Sequence, residues 1–255
     1  MKLAQTFFDG PAGAIPLVMA HGLFGSGRNL GALARHFAKA RPVVAVDLRN
    51  HGDSAWSDDH SYAALAEDLA EVVHDLGGRA HVFGHSMGGK AAMTLALRHP
   101  GLVDHLIVAD IAPVGYGHSQ TPLIDAMEAL DTTGLRLRSE ADRRLAAAIP
   151  EAGVRAFLLQ SLDMTADPAR WKFNLATLRA QMAGLVGWPD PPGRFPGPVL
   201  FLDGEASDYI RPDHHEAIYR LFPQARIETI AAAGHWLHAE RPRAVDAAVD
   251  AFLGG

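Results

Sequence analysis

An alternation of short apolar runs with stretches of helical length dominates residues 1–112 and constrains the fold more than any other feature. Leu17-Val18-Met19-Ala20, Val43-Val44-Ala45-Val46, His81-Val82-Phe83 and Leu106-Ile107-Val108-Ala109 read as buried strands. Between them, residues 30–40, 62–76 and 87–98 carry helical spacing. In the second of these, Leu65, Leu69, Val72, Val73 and Leu76 fall on one stripe. Pro100 stops the third. Strands separated by helices of this length predict βαβ units, hence a mostly parallel sheet with helices on both faces. With 255 residues, the chain can bury the core of one such domain and carry an inserted sub-domain.

The rhythm breaks at Pro113. From there to about Gly197 the patterns are helical, over residues 122–130, 140–149, 154–162 and 171–184, with no convincing strand. Ser139 and Asp142 read as a capping box for the second of these helices. After a Pro-rich stretch, Val199-Leu200-Phe201-Leu202 resumes the sheet. A helix near 213–222, a strand at 226–230 and a last helix near 242–253 follow. The expected organisation is an α/β core, 1–112 and 197–255, with an all-helical cap or lid, 113–196, inserted between two strands. In open α/β sheets the ligand crevice lies at the carboxyl ends of the strands, where such a lid would shape it.

Gly84-His85-Ser86-Met87-Gly88 is a G-x-S-x-G directly after one strand and directly before a helix. A strained strand-to-helix turn lifts the serine out of the sheet, and the flanking glycines relieve the crowding. Ser86 is therefore the expected nucleophile. The same stretch holds a decoy: Gly84-x4-Gly89-Lys90 starts a phosphate-binding loop, but Ala91 stands where a Ser or Thr must hold magnesium. Gly25-Ser26-Gly27 lacks the third glycine and the downstream acid of a dinucleotide fingerprint.

Acyl transfer needs two backbone N–H groups aimed at the tetrahedral oxygen. One comes from the residue after the nucleophile, Met87, and the other from the loop after the third strand of this architecture. In His21-Gly22-Leu23-Phe24-Gly25, Leu23 fits that second role. Of fourteen histidines, His235 in Ala233-Gly234-His235-Trp236 lies after the last strand and before the final helix, the place from which a base reaches Ser86. The acid is ambiguous. In the loop Gly204-Glu205-Ala206-Ser207-Asp208 the expected position holds Ser207, with Asp208 displaced by one. Asp110, at the end of the strand 106–109, can reach the same imidazole. Arg49, Asn50, His51 and Asp53 form either a hydrogen-bonded corner or a substrate contact, Lys90 makes structural contacts, and Met127, Phe157, Met164, Trp171 and Met182 are first of all inter-helix core, with an acyl-pocket lining as the alternative for some of them.

The sequence contains no cysteine, which excludes thiol nucleophiles, disulfides and Cys-based zinc sites. Net charge is −6 with no Lys/Arg run, so no nucleic-acid partner is expected. Neither a secretory leader nor an 18-residue apolar span is visible, and a cytoplasmic protein without membrane partner is the expectation. No metal is expected: H-E-x-x-H is absent, and His81-x3-His85 lacks a third ligand. A monomer or small homo-oligomer is anticipated.

His21-Gly, the stretch Asp47-Leu-Arg-Asn-His-Gly-Asp-Ser54, Gly-His-Ser86-Met-Gly-Gly and Gly234-His235-Trp236 resemble the α/β-hydrolase superfamily over essentially the whole chain. More narrowly, Arg49-Asn50-His51-Gly52, Gly89-Lys90 and Asp110-Ile111-Ala112-Pro113-Val114 are similar to a subgroup of small bacterial short-chain esterases with a mitochondrial relative in eukaryotes. The resemblance implies hydrolysis of short-chain esters and some acyl-thioesters, no cofactor and a helical lid. It also implies that Asp110 orients His235 with Ser207 beside it, leaving Asp208 as the runner-up. Carbon–carbon hydrolases and acyltransferases share this constellation, and a hydrolase-like small-ligand binding protein is the rival from another class.

Overall fold

The computed structural model describes residues 1–254. A seven-stranded sheet runs in the order β1 (Ala4–Phe8), β3 (Val43–Asp47), β2 (Leu17–Ala20), β4 (Ala80–His85), β5 (Val103–Ala109), β8 (Val199–Gly204), β9 (Ala225–Ile230). Only β1 is antiparallel to its neighbour, with Ala4 opposite Asp47; the remaining pairs are parallel, as in Leu17 with Val43 and Leu106 with Val199. Because side chains alternate across a strand, Leu17 and Met19 point to one face and Val18 and Ala20 to the other. Helices cover both faces, which is why these strands are apolar throughout. On one side α1 (Gly31–Phe37) and α11 (Pro242–Leu253) contribute Leu33, Phe37, Val245 and Val249. On the other, α2 (Tyr62–Asp75) and α3 (Met87–Arg98) contribute Leu65, Leu69, Ala91 and Leu95. Ser61 starts α2 by accepting the Ala64 N–H at 3.2 Å.

Residues between β5 and β8 add no strand to this sheet. They form α4 (Thr121–Ala129), α5 (Arg138–Leu145), α6 (Ala152–Leu159), α7 (Leu175–Ala180) and α8 (Met182–Val186), and a small hairpin of β6 (Leu162–Asp163) and β7 (Arg170–Trp171). The remaining short helices, α9 (His215–Leu221) and α10 (Leu237–Glu240), precede β9 and α11. No helix among the described residues is long and apolar enough to cross a membrane.

Several boundaries differ from expectation for identifiable reasons. The edge strand β1 has no clean alternation and leaves Phe7 exposed, so periodicity does not reveal it. The hairpin is two residues per strand, too short to carry a pattern, and it takes Trp171 out of the expected helix. That helix starts later because Phe173 bridges to His51 and the Asn174 side chain caps at Thr177; it then divides at Gln181. The cap of α5 is not built from Ser139 and Asp142. Glu140 instead reaches back to accept the N–H groups of Arg136 and Leu137. The loop that carries Leu23 follows the second strand in chain order rather than the third.

The junction of β4 and α3 fits against β2 with no room for a methyl group at Gly88. A Cβ there would lie 2.5 Å from the carbonyl oxygens of Ala20 and His21, both backbone atoms. Gly88→Ala is therefore expected to lower unfolding stability by about 1–3 kcal/mol, as overpacking does. Gly101→Ala, whose Cβ meets nothing within 4 Å, should stay within about 0.5 kcal/mol. Urea titration of both variants measures the difference.

Candidate active site

Ser86 joins β4 to α3 with φ 52° and ψ −119°, a conformation non-glycine residues rarely hold. Its N–H donates to the Ala109 carbonyl at 3.0 Å, tying the bend to the next strand. Asp110, at the end of that strand, also has φ 52°, and its N–H donates to Leu202 at 2.8 Å. The two strained residues therefore sit side by side at the carboxyl edge of the sheet.

His235 Nε2 lies 3.0 Å from Ser86 Oγ, and His235 Nδ1 lies 2.7 Å from Asp110 Oδ2. The fully buried Asp110 carboxylate also accepts the Ser207 hydroxyl on Oδ2 at 2.5 Å and the Gly204 N–H on Oδ1 at 3.0 Å. A carboxylate with three donors is held in one orientation. Asp208 is exposed and makes no hydrogen bond to His235 among the described residues. The structure thus brings Ser86, His235, Asp110 and Ser207 together, and leaves Asp208 outside.

Leu23 and Met87 both face the cleft beside Ser86, and among the described residues neither N–H is used by a protein acceptor. Gly22 lets this loop approach, since a Cβ would come within 2.8 Å of His85 Nδ1. Two buried histidines hold the loop. His51 Nε2 accepts the Phe24 N–H at 3.2 Å while its Nδ1 donates to the Arg49 carbonyl at 2.9 Å. His21 Nε2 accepts the Leu48 N–H at 3.0 Å while its Nδ1 donates to Gly22 at 2.8 Å. Each ring must be neutral to accept on one nitrogen. Burial keeps them so, lowering His21 to about 4 and His51 to about 3.

The stretch 49–53 resolves into the structural corner. Arg49 forms a buried two-pronged pair with Asp68, at 2.6 and 2.8 Å. Asn50, at φ 64°, accepts from Ser57 N–H and from Asn174. None of Arg49, Asn50, His51 or Asp53 lines the cleft.

Two residues to which sequence reasoning gave no role also shape the site. His85, an unassigned position of the G-x-S-x-G, donates Nε2–H to the His235 carbonyl at 2.8 Å. Burial, then the neighbouring His238 and His235, keep its pKa well below the ordinary value. Tyr209 stacks on the His235 ring with centroids 3.9 Å apart, and its hydroxyl meets His118 Nε2 at 2.9 Å. The only sequence signal for Tyr209 is its place two residues after Ser207.

The cleft holds a small cavity of about 110 Å³. The sheet side supplies Leu30 and Ile111; the insertion supplies Leu123, Phe157 and Leu185. Lys90 joins the two sides. Its Nζ donates to the carbonyls of Val186 and Gly187, at 3.1 and 2.5 Å, and lies 4.7 Å from the Tyr116 ring centre. Burial lowers this ammonium to about 7.

The sequence profile described as the alpha/beta hydrolase family matches residues 17–248. The chain is 41% identical to the mouse sn-1-specific diacylglycerol lipase ABHD11 over 99% of this chain and 85% of that protein. It is 38% identical to Esterase YbfF of Escherichia coli (strain K12) over 93% of this chain and 92% of that protein. The solved structure of a marine microorganism esterase superposes with a TM-score of 0.92 at 36% identity, covering 98% of this chain and 99% of that one. By the profile match and by these relatives, the chain belongs to the alpha/beta hydrolase family.

Proposed function

We propose that this carboxylic ester hydrolase works through an acyl-enzyme on Ser86, with His235 as base, Asp110 as the orienting acid and Leu23 and Met87 as oxyanion donors. The observation that carries the reading is the unbroken hydrogen-bond chain from Ser86 Oγ through His235 to Asp110, opening into an apolar cleft. Ser86 Oγ attacks the acyl carbon while its proton passes to His235 Nε2. The carbonyl oxygen, now negative, accepts the N–H groups of Leu23 and Met87. His235 then protonates the departing alkoxide or thiolate. Water attacks the acyl-enzyme, giving its proton to His235, and the acid leaves as Ser86 is restored. Ser207 adds a second donor to Asp110 Oδ2. The substrates we infer are small or short-chain esters, with acyl-thioesters accepted by the same chemistry.

Residues 113–196 are read as a lid over the core 1–112 and 197–255, because Leu123, Phe157 and Leu185 complete the acyl side of the cleft. Lys90 is the fastening between the two, through the last carbonyls of α8.

The assignment is tested with a short-chain chromogenic ester. Ser86→Ala is expected to abolish turnover, and Asp110→Asn to lower kcat by about four orders of magnitude, as for a misoriented imidazole. Asp208→Asn should keep kcat within about threefold, as a surface change does. Loss of kcat in Asp208→Asn alone would overturn the assignment of the acid, and saturable ester binding without turnover in the unaltered chain would favour the binding protein.

A second measurement addresses the lid. The groups facing Lys90 Nζ are Tyr62, Tyr116 and His118. Burial pushes both phenols up and is the leading cause holding His118 down, so all three stay uncharged around pH 7. As pH rises through about 7, Lys90 loses its proton, and its charge-assisted bonds to Val186 and Gly187 become neutral ones. That change is worth about 1 kcal/mol, so KM for the longer acyl chains should rise about fivefold while kcat does not share this change. In Lys90→Met, KM should be raised at every pH and lose this pH dependence.

A further inference from the structure

The two strands that end in Ser86 and Asp110 begin at a second group of chemistry-bearing side chains. His81 is the second residue of β4; Asp104 and His105 are the second and third of β5. They occupy the amino edge of the sheet, about five residues or roughly 17 Å of strand from the catalytic edge. His81 Nδ1 lies 3.2 Å from Asp104 Oδ2, and His105 Nδ1 lies 2.7 Å from the same oxygen. One ligand atom from each of the three residues lies within 4.8 Å of the other two.

His81 is the residue that needs explaining. Its side chain is 6% exposed, and its Nδ1 is buried without a hydrogen-bond partner among the described residues, the approach to Asp104 being misaligned. A buried ring nitrogen without a partner is costly. The register of β4 against β5 shifts between Ala80 and Val82, and such an irregularity re-aims the side chain at its centre. Here that side chain is His81, turned toward the Asp104 carboxylate.

We propose that His81 Nδ1, Asp104 Oδ2 and His105 Nδ1 form a binding site for a divalent transition-metal ion of the zinc type, with water as the fourth ligand. Two imidazoles and one carboxylate are a donor set suited to Zn²⁺. Among the described residues His81 Nδ1 has no hydrogen-bond partner, so its lone pair can be offered to an ion. Ligand atoms around a tetrahedral zinc with bonds of about 2.0–2.1 Å stand about 3.3 Å apart. The His81–Asp104 spacing already matches this value. His105, 28% exposed, moves outward by about 0.6 Å on that geometry, and its proton shifts from Nδ1 to Nε2. Arg79 binds Asp104 through Oδ1, leaving Oδ2 to the ion and fixing the carboxylate from the second layer. Arg79 and Arg41 both oppose a cation here. Arg79 is 65% exposed and well screened, whereas Arg41 is buried, so the site falls short of the affinity of a closed structural zinc centre. An ion held there ties the starts of β4 and β5 together and takes no part in the ester chemistry.

The test is titration of Zn²⁺ alone into the chelator-treated full chain, followed by calorimetry and thermal unfolding. One ion per chain is expected, with a rise in Tm that depends on its concentration. His81→Ala and His105→Gln should each weaken binding by about tenfold or more, at least the loss that outer-layer partners of metals produce. Both should keep ester hydrolysis, which reports that they are folded. If His81→Ala fails to fold, the half-exposed His105→Gln decides alone. Absence of saturable binding, binding undiminished by the substitutions, or binding removed by His235→Ala instead would overturn the proposal.

Discussion

Two residues held in left-handed backbone conformations at the ends of neighbouring strands underlie the rest of the site. Ser86 and Asp110 both have φ 52°, a geometry that a non-glycine side chain adopts only when its surroundings over-determine it. The surroundings do so by continuing the sheet ladder past the strand ends. Ser86 N–H reaches back to Ala109, and Asp110 N–H to Leu202. Each bend is thereby locked to the next strand along, and the hydroxyl and carboxylate are aimed toward the same point before the histidine arrives. His235 comes from the loop after β9 and is itself held at its backbone by His85, the residue before Ser86. The spacing of Ser86 and His235 is thus fixed from two directions, through side chains and through main chain.

The same economy governs the oxyanion loop. Its shape depends on His21 and His51, each donating from one nitrogen and accepting on the other. A protonated ring would lose an acceptor and leave a backbone N–H unpaired, so neutrality is a structural requirement there. Burial enforces it by disfavouring the charged form. The cluster of histidines around this site therefore divides into His235, proposed to exchange a proton and partly exposed beside the cleft, and buried rings such as His21 and His51 that stay neutral and act as hydrogen-bonding struts.

The core strands were legible because burial on both faces writes itself as unbroken apolar runs, and Met87–Arg98 and Pro242–Leu253 match the helices read from the sequence residue for residue. The edge strand β1 was not, since half of it faces solvent. Within the insertion the existence of helices was legible, but the late start of α7 follows from contacts of Phe173 and Asn174 with His51 and Asn50, more than a hundred residues away. Ser86 and His235 stood out because each lies in a loop between a strand and a helix at the same edge of the sheet, and the structure places them 3.0 Å apart. The acid did not, because Asp110 and Asp208 lie after adjacent strands and either order is compatible with the topology. What separates them is three-dimensional: Ser207 and Gly204 donate to Asp110 from the very loop that carries Asp208. Tyr209 and His85 were illegible for a related reason, since stacking and main-chain support leave no spacing signature.

The division between a rigid edge and an added insertion has a consequence for specificity. Every polar group proposed to handle the reacting atoms belongs to the sheet edge, where the ladder and the histidine struts restrict its movement. Much of the apolar surface that would meet the acyl chain belongs to α4, α6 and α8, which are tied to the core by shared apolar packing and by Lys90. Substitutions in those helices can therefore change which acyl group fits without moving Ser86 relative to His235. The converse does not hold: a Cβ at Gly22 would press on the His85 and Ser86 side chains and one at Gly88 on the backbone of Ala20 and His21, so either change reaches the groups that every substrate would meet.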